Sequence, residues 1–434
     1  MVGAGPAGVH MAYSLKRRGY SSVVVLERTD RVGGKCLDSH YRGVVWPLGA
    51  GVTVAHYSRN IIPLAAEFGF NDYTNAGNGS EFLGGRKGWM NPLVLMPALV
   101  NYVRIHKQMF GRYEGDLMPR PGPTVMYRTR GTFLEFMRRE KLMALIELFD
   151  LLHTKWGYGY LDEVSALYGL MWNTPEAILP VVLGTNSIRL PNRGFQQLWQ
   201  TIVEKEQLDV QLEVDIHQVK RNTPGDFEIH QTQHSKSSVR KCNFLIWTPE
   251  MSGLLAVLDA PSARELQLLS GLTTEVYTAN IINLRGDTSN YKATTYTYLN
   301  MMAAKKEHGV VMDMDVLALK RPMRTPRSLG LKTLWSGQMG RNKSSLPEIQ
   351  ANLRQHYLHQ FPSSSLEVVV TQLWPNYFPR WSPGDMTAGR PWDVFQMQGS
   401  QGVWYTGSSV SFESLSAVTE YNKLLIKQMV ARKI

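Results

Sequence analysis

The chain is short of cysteine: Cys36 and Cys242 are the only two in 434 residues. Two cannot build a disulfide framework, so the fold must rest on burial. Long apolar runs are missing too. The longest, Ala177–Leu183, is broken by Pro180 and falls far short of the roughly 20 residues that span a bilayer. Histidine is poorly placed for metal. His230 with His234 and His356 with His359 are the only close pairs, and no cysteine or acid completes a ligand set, so no metal site is expected. No Ser-His-Asp or Cys-His arrangement offers a nucleophile, and Cys36 reads as a small packed residue. Acidic residues are outnumbered, 36 against 47 Lys and Arg, for a net charge of +11. The basic residues are scattered, with short clusters at Lys16-Arg17-Arg18, Arg138-Arg139 and Lys305-Lys306. No aromatics interleave them, which argues against nucleic acid as a partner. An anionic small molecule or a peripheral membrane contact remains open. No repeat or low-complexity stretch is present, and 43% hydrophobic residues suit two or three closely connected domains with a large core.

What is present begins at once. Gly3-Ala4-Gly5-Pro6-Ala7-Gly8 is a G-x-G-x-x-G loop. It is the turn between the first strand and first helix of a dinucleotide-binding βαβ unit. Gly3 permits the turn, Gly5 lets the backbone approach a pyrophosphate, and Gly8 lets the helix pack on the strand. The phosphates are expected at the free amides of a helix over 6–18. Its inward residues are Val9, Ala12, Tyr13 and Leu15. A β-branched strand, Val23 to Leu26, follows, with Glu27 at its tip to accept from ribose hydroxyls.

Glu27-Arg28-x-x-Arg31-x-Gly33-Gly34-Lys35 resembles the run after the second strand in FAD enzymes of the amine oxidase superfamily. The resemblance implies non-covalent FAD, since no cysteine near the C-terminal segment offers a thioether. Gly33 and Gly34 would let a second loop lie against the diphosphate, with Arg28 or Lys35 offsetting its charge. Pro47-Leu48-Gly49-Ala50-Gly51 resembles that superfamily's next segment, which runs beside the isoalloxazine. Ile216 matches the residue whose backbone meets the adenine. Gly407 and Ser408 stand where a glycine and usually an acid face the ribityl chain; Ser408 and Ser409 replace the acid. The implied fold class is α/β: an FAD-binding Rossmann-like domain of glutathione reductase type with an inserted α+β substrate domain. The discontinuous FAD domain is expected over 1–57, 190–265 and 400–434, and the substrate domain over 58–189 and 266–399.

Periodicity predicts helices over 54–70, 92–110, 132–153, 162–172, 195–203, 347–360 and 417–427. It predicts a loop or short hairpin over 71–88, a strand over 210–216, a meander over 227–242, and a buried strand over 244–249. Residues 270–370 alternate strands with loops, as a substrate-side sheet would. Only Met1 and Val2 precede Gly3, whereas a strand normally needs about 5 residues. The natural chain is therefore expected to start earlier. That expectation and the sequons Asn78-Gly79-Ser80 and Asn342-Lys343-Ser344 leave secretion open.

A narrower resemblance rests on Gly157-Tyr158-Gly159 with Asp162 and Val164, on Trp374-Pro375-Asn376-Tyr377-Phe378-Pro379, and on Met397-Gln398-Gly399 before Trp404-Tyr405-Thr406-Gly407. With the Leu26 to Cys36 stretch, these are similar in order to bacterial polyenoic fatty acid isomerases. That likeness implies a long-chain unsaturated fatty acid as substrate and redox-neutral chemistry. A hydride would leave a methylene between two double bonds for flavin N5 and return at another carbon, giving conjugated double bonds. The protein would need an apolar channel and a carboxylate anchor rather than a strong acid or base. The relatives carry a basic pair before a Glu-Phe dipeptide; here Gly79-Ser80 precede Glu81-Phe82. Arg86, or Lys87, is the expected substitute anchor. The alternatives are an FAD-dependent amine or amino-acid oxidase, and a non-catalytic relative without flavin. The sequence does not give the oligomeric state.

Overall fold

Met1 and Val2 fill the central slot of a parallel layer. Val2 bridges both Leu26 and Trp247 in parallel. The Val2 amide donates to Ile246 at 2.9 Å and the Leu26 amide to Met1 at 2.9 Å. Strand Val24–Leu26 pairs on its other side with Asp209–Gln211, and Leu245–Trp247 pairs with Val403–Tyr405, all parallel. The computed structural model describes the chain except residues 77–79, 112–117, 185–187, 224, 290, 321–329 and 433–434.

Helix Pro6–Lys16 follows Gly3 to Gly5 directly. Pro6 opens it, no side chain caps it, and Val9, Met11, Ala12 and Leu15 are buried beneath it. Val9, Met11 and Leu15 each contribute roughly 1.5–3 kcal/mol by leaving water. The last helix, Leu415–Ala431, packs alongside. Its Asn422 amide donates to the Ala7 carbonyl at 2.8 Å, so the two ends of the sequence meet at the glycine loop. Helix Phe195–Lys205 covers the same layer with Leu198, Trp199 and Ile202 buried.

A second sheet has six strands, in the order Ser365–Arg380, Thr273–Arg285, Leu331–Gly340, Gly309–Met314, Thr295–Tyr298, Ser80–Leu83. It is antiparallel except at the last pair. Inside it, Asp313 accepts from the hydroxyls of Tyr291, Tyr298 and Tyr357. Burial raises its carboxyl to about 6 despite these donors.

Several sequence expectations need correction. The helix over 54–70 is a 3₁₀ turn, Ala55–Arg59, and a helix, Ile61–Glu67; Asn60 breaks between them and caps the second. The helix over 132–153 is split into Phe133–Arg139 and Ile146–Leu152, with Lys141 at φ 58° and a 3₁₀ turn at Met143–Leu145. The strand over 210–216 breaks at Glu213, φ 56°; its second half joins the three-stranded meander Val214–Thr223, Asp226–Gln233, Lys236–Cys242. No hairpin forms from 71–88 among the described residues. Tyr73–Asn75 pairs with Arg189–Pro191, and Ser80–Leu83 goes to the large sheet. Of the first sequon, residues 78 and 79 lie outside the described residues. No helix among the described residues is long and apolar enough to cross a membrane.

Candidate active site

Between the parallel layer and the six-stranded sheet lies a cavity of about 840 Å³, toward the upper end of ligand pockets. Its two ends are built differently. One end is rich in glycine: Gly3, Gly5, Pro6 and Ala7, then Glu27 to Thr29, Arg31, Gly34 and Lys35, then Leu48 to Gly51, Ile216, and Gly407 with Ser408. Gly8 and Gly33 do not line it but stand behind it. A Cβ on Gly8 would sit 1.9 Å from the Gly3 carbonyl oxygen, which is why the helix can start so close to the strand. Gly34 has φ 53°, and a Cβ there would lie 2.9 Å from the Gly5 Cα. The two glycine loops therefore touch backbone to backbone. Ser409, beside Ser408, turns away and accepts from the Met251 amide at 3.3 Å.

Glu27 is buried at the strand tip. Its Oε2 accepts from the Ala4 amide at 2.7 Å, and its Oε1 from the Thr29 amide at 2.9 Å. Oε1 also accepts from the Thr29 hydroxyl at 2.8 Å, so it is Oε2 that keeps a lone pair for a further donor such as a hydroxyl. Lys35 is paired with Glu413 at 2.6 Å and sits 5.3 Å over the Tyr377 ring. Glu413 also accepts from the Phe378 amide at 3.0 Å. Nothing in the sequence pattern singles out Glu413; its only signal is its place before Ser414, the N-cap of the last helix.

The other end is aromatic: Trp156, Tyr158, Tyr277, Trp335, Trp374 and Tyr377. Their polar atoms are largely committed to backbone. The Trp335 indole donates to the Pro47 carbonyl at 2.6 Å and Trp374 to the Leu48 carbonyl at 2.7 Å. Tyr158 donates to the Glu413 carbonyl at 2.9 Å and Tyr277 to the Lys155 carbonyl at 3.2 Å. Burial holds the phenols of Tyr158, Tyr277 and Tyr377 above their ordinary range, so they stay protonated at neutral pH. Burial likewise pushes the Cys36 thiol up, so this wall residue is no thiolate.

Arg86 is elsewhere. Its guanidinium engages the Glu147 carboxylate through Nε and Nη2 and the Met143 carbonyl at 3.0 Å, and it does not line the cavity. Lys87 is exposed. His356 is buried edge-on against Tyr298, and His230 lies on a meander strand. Among the described residues no three of His, Cys, Asp and Glu gather to hold a metal.

The family described as flavin containing amine oxidoreductase matches residues 6–288. A curated polyenoic fatty acid isomerase from Ptilota filicina is 21% identical, over 98% of this chain and 94% of that protein. The solved CLA-producing fatty acid isomerase from P. acnes has a TM-score of 0.82 at 22% identity, covering 98% of this chain and 97% of that one. Putrescine oxidase bound to putrescine has a TM-score of 0.71 at 16% identity, covering 99% and 98%. Cyclohexylamine oxidase from Brevibacterium oxydans has 0.67 at 13% identity, with the same coverage.

Proposed function

The chain belongs to the flavin-containing amine oxidoreductase family and is an FAD enzyme, and from that premise we propose that it isomerises double bonds in long polyunsaturated fatty acids to conjugated products. We assign FAD to the glycine end, within 1–57, 190–265 and 400–434, and the lipid to the aromatic end, within 58–189 and 266–399. The observation that carries this reading is the aromatic end itself. Six rings line the cavity there, and the polar atoms of four of them, Tyr158, Tyr277, Trp335 and Trp374, are spent on backbone carbonyls.

The glycine end suits the cofactor. Nothing but the Gly34 Cα comes within 4 Å of a Cβ built on Gly5, so a diphosphate can approach that backbone as no side-chain-bearing residue would allow. No side chain competes for the first amides of helix Pro6–Lys16, and Glu27 is free to accept from the ribose. Ile216 supports the adenine side, and Ser408 offers a hydroxyl to the ribityl side. Bound there, FAD supplies a group that takes up and gives back a hydride. The chain's own task is then positional. Trp335 and Trp374 fix the Pro47–Gly51 segment by their indole bonds, and the apolar wall excludes water and holds an alkyl chain in one register.

Oxidation of an amine is the competing reading, and the wall offers it less. Lys35 is the only lysine among the described lining residues, and Glu413 holds it. Tyr158 and Tyr377 are parallel but only 6.2 Å apart, whereas a carbon between two ring faces needs about 7 Å. The test is addition of linoleate, and separately of an amine, to the purified yellow protein in air-equilibrated buffer with dissolved oxygen followed. Conjugated-diene absorption without oxygen uptake is the expected result. Peroxide release from an amine, with no conjugation of any fatty acid, refutes the reading.

A further inference from the structure

Helix Pro92–Phe110 is apolar on both sides of its N-terminal half. Leu95, Leu99, Tyr102 and Ile105 face the core. On the other side Leu93 is 84% exposed, Val100 63% and Val94 53%, with Met90 at 56% just before the cap. Pro92, Met96 and Pro97 are exposed among them. Five of the thirteen large apolar side chains exposed among the described residues fall between Met90 and Val100. Scattered exposed apolar residues are normal, but a patch of this density marks a contact surface. A helix that is apolar all round is built to be covered all round.

The charge beside the patch identifies what covers it. The stripe 93, 97, 100, 104, 107 runs along one helix face: Leu93, Pro97 and Val100, then Arg104 and Lys107. Lys87 stands exposed on the turn before the helix. No acidic residue occurs between Glu81 and Glu114. Among the described residues no carboxylate pairs with Lys87, Arg104 or Lys107. Two acids lie on elements packed nearby. Glu140 accepts both Arg128 nitrogens, and Glu147 is held by Arg86. A second copy of this chain, set symmetrically on the patch, would bring the same cations together. A surface with apolar depth and anionic head groups meets both halves of the stripe.

We propose that the face from Met90 to Val100 docks the enzyme on an anionic lipid surface, with Lys87, Arg104 and Lys107 at head-group level. Pro97 sets the depth. It has no amide to give the Leu93 carbonyl, and a helix lying in the interface can meet that carbonyl with water or a head group. The patch adjoins the lipid end of the cavity. Trp89, next to Met90, packs in the same apolar cluster as Trp156, Trp335 and Trp374 of the cavity wall. The docking face rests on exposure and charge, and does not depend on which lipid is turned over.

The test is co-sedimentation of the flavin-loaded protein with vesicles of phosphatidylcholine containing one-third phosphatidylglycerol, beside vesicles of phosphatidylcholine alone. Binding is expected to the first, to weaken with salt, and to be much lower to the second. Leu93→Asp with Val100→Asp should cut the partition at least about tenfold. Arg104→Gln with Lys107→Gln should cut it about fivefold per charge. Flavin absorbance and melting temperature should be unchanged in both variants, since the replaced side chains face solvent. Equal binding to both vesicle types, or full binding by the Asp variant, overturns the proposal. So does a dimer in sedimentation that the Asp pair dissolves, which would make a second copy the occupant.

Discussion

The two ends of the cavity are held by opposite means. At the glycine end the loops meet backbone to backbone, and their shape comes from what side chains would obstruct. At the aromatic end the wall is side chain, and its shape comes from six rings, four of them anchored to backbone carbonyls through their polar atoms. The first has no slack at Gly34, Gly49 and Gly407, because an added carbon there meets backbone. The second can be recut ring by ring while the strands behind it stay paired. A fold of this kind can keep one cofactor and change its substrate, since the two requirements fall on different atoms.

Substitutions at the two ends should therefore fail differently. Gly34→Val puts a β-branched residue at positive φ against the Gly5 Cα. It should weaken FAD binding by at least about a hundredfold, and the purified protein should lose its visible absorbance. Glu27→Ala leaves the Ala4 and Thr29 amides without an acceptor. It should weaken FAD about ten- to a hundredfold, measured by titrating apoprotein with FAD. Trp374→Phe keeps the ring but loses its bond to Leu48. The flavin should stay bound while kcat/KM for conjugation falls about tenfold. A colourless Trp374→Phe protein would break the distinction.

Acid reaches both ends. Burial holds His10, behind the glycine loop, and His153, behind the aromatic wall, down to about 3. His56 shares that value, and His106 and His356 sit at about 4. These groups are neutral when folded and charge near 6.5 when unfolded. Their stabilising contribution is complete above pH 6.5 and is lost as pH falls toward the folded values. Asp38 and Asp313, raised to about 6 by burial, act oppositely, losing stability as pH rises from about 4 to 6. Melting temperature should fall from pH 6.5 to 5. His153→Phe should remove about one proton, or about 1.4 kcal/mol per pH unit, from that slope.

The same contrast explains what could be read from the sequence. Gly3 to Gly8 and Glu27 to Lys35 are contiguous, and backbone chemistry at a loop demands glycine at fixed spacing. The aromatic wall has no such spacing. Trp335 and Trp374 reach Pro47 and Leu48 across 288 and 326 residues, which no local pattern records. Arg86 was legible as a cation in a glycine turn, but its partner Glu147 lies 61 residues on. Helix Pro92–Phe110 was legible because its apolar positions repeat over five turns. The breaks at Lys141 and Glu213 were not, because non-glycine residues hold the positive φ there, Glu213 with its amide bonded to the distant Thr29 carbonyl.

The most direct test of the two-ended cavity is a titration of the yellow protein with stearate, a long carboxylate with no double bond to react, read by the visible flavin bands. The account predicts a saturable perturbation with stearate, little with putrescine, and weaker binding in Trp374→Phe with the flavin still in place. A perturbation by the amine and none by stearate would contradict it.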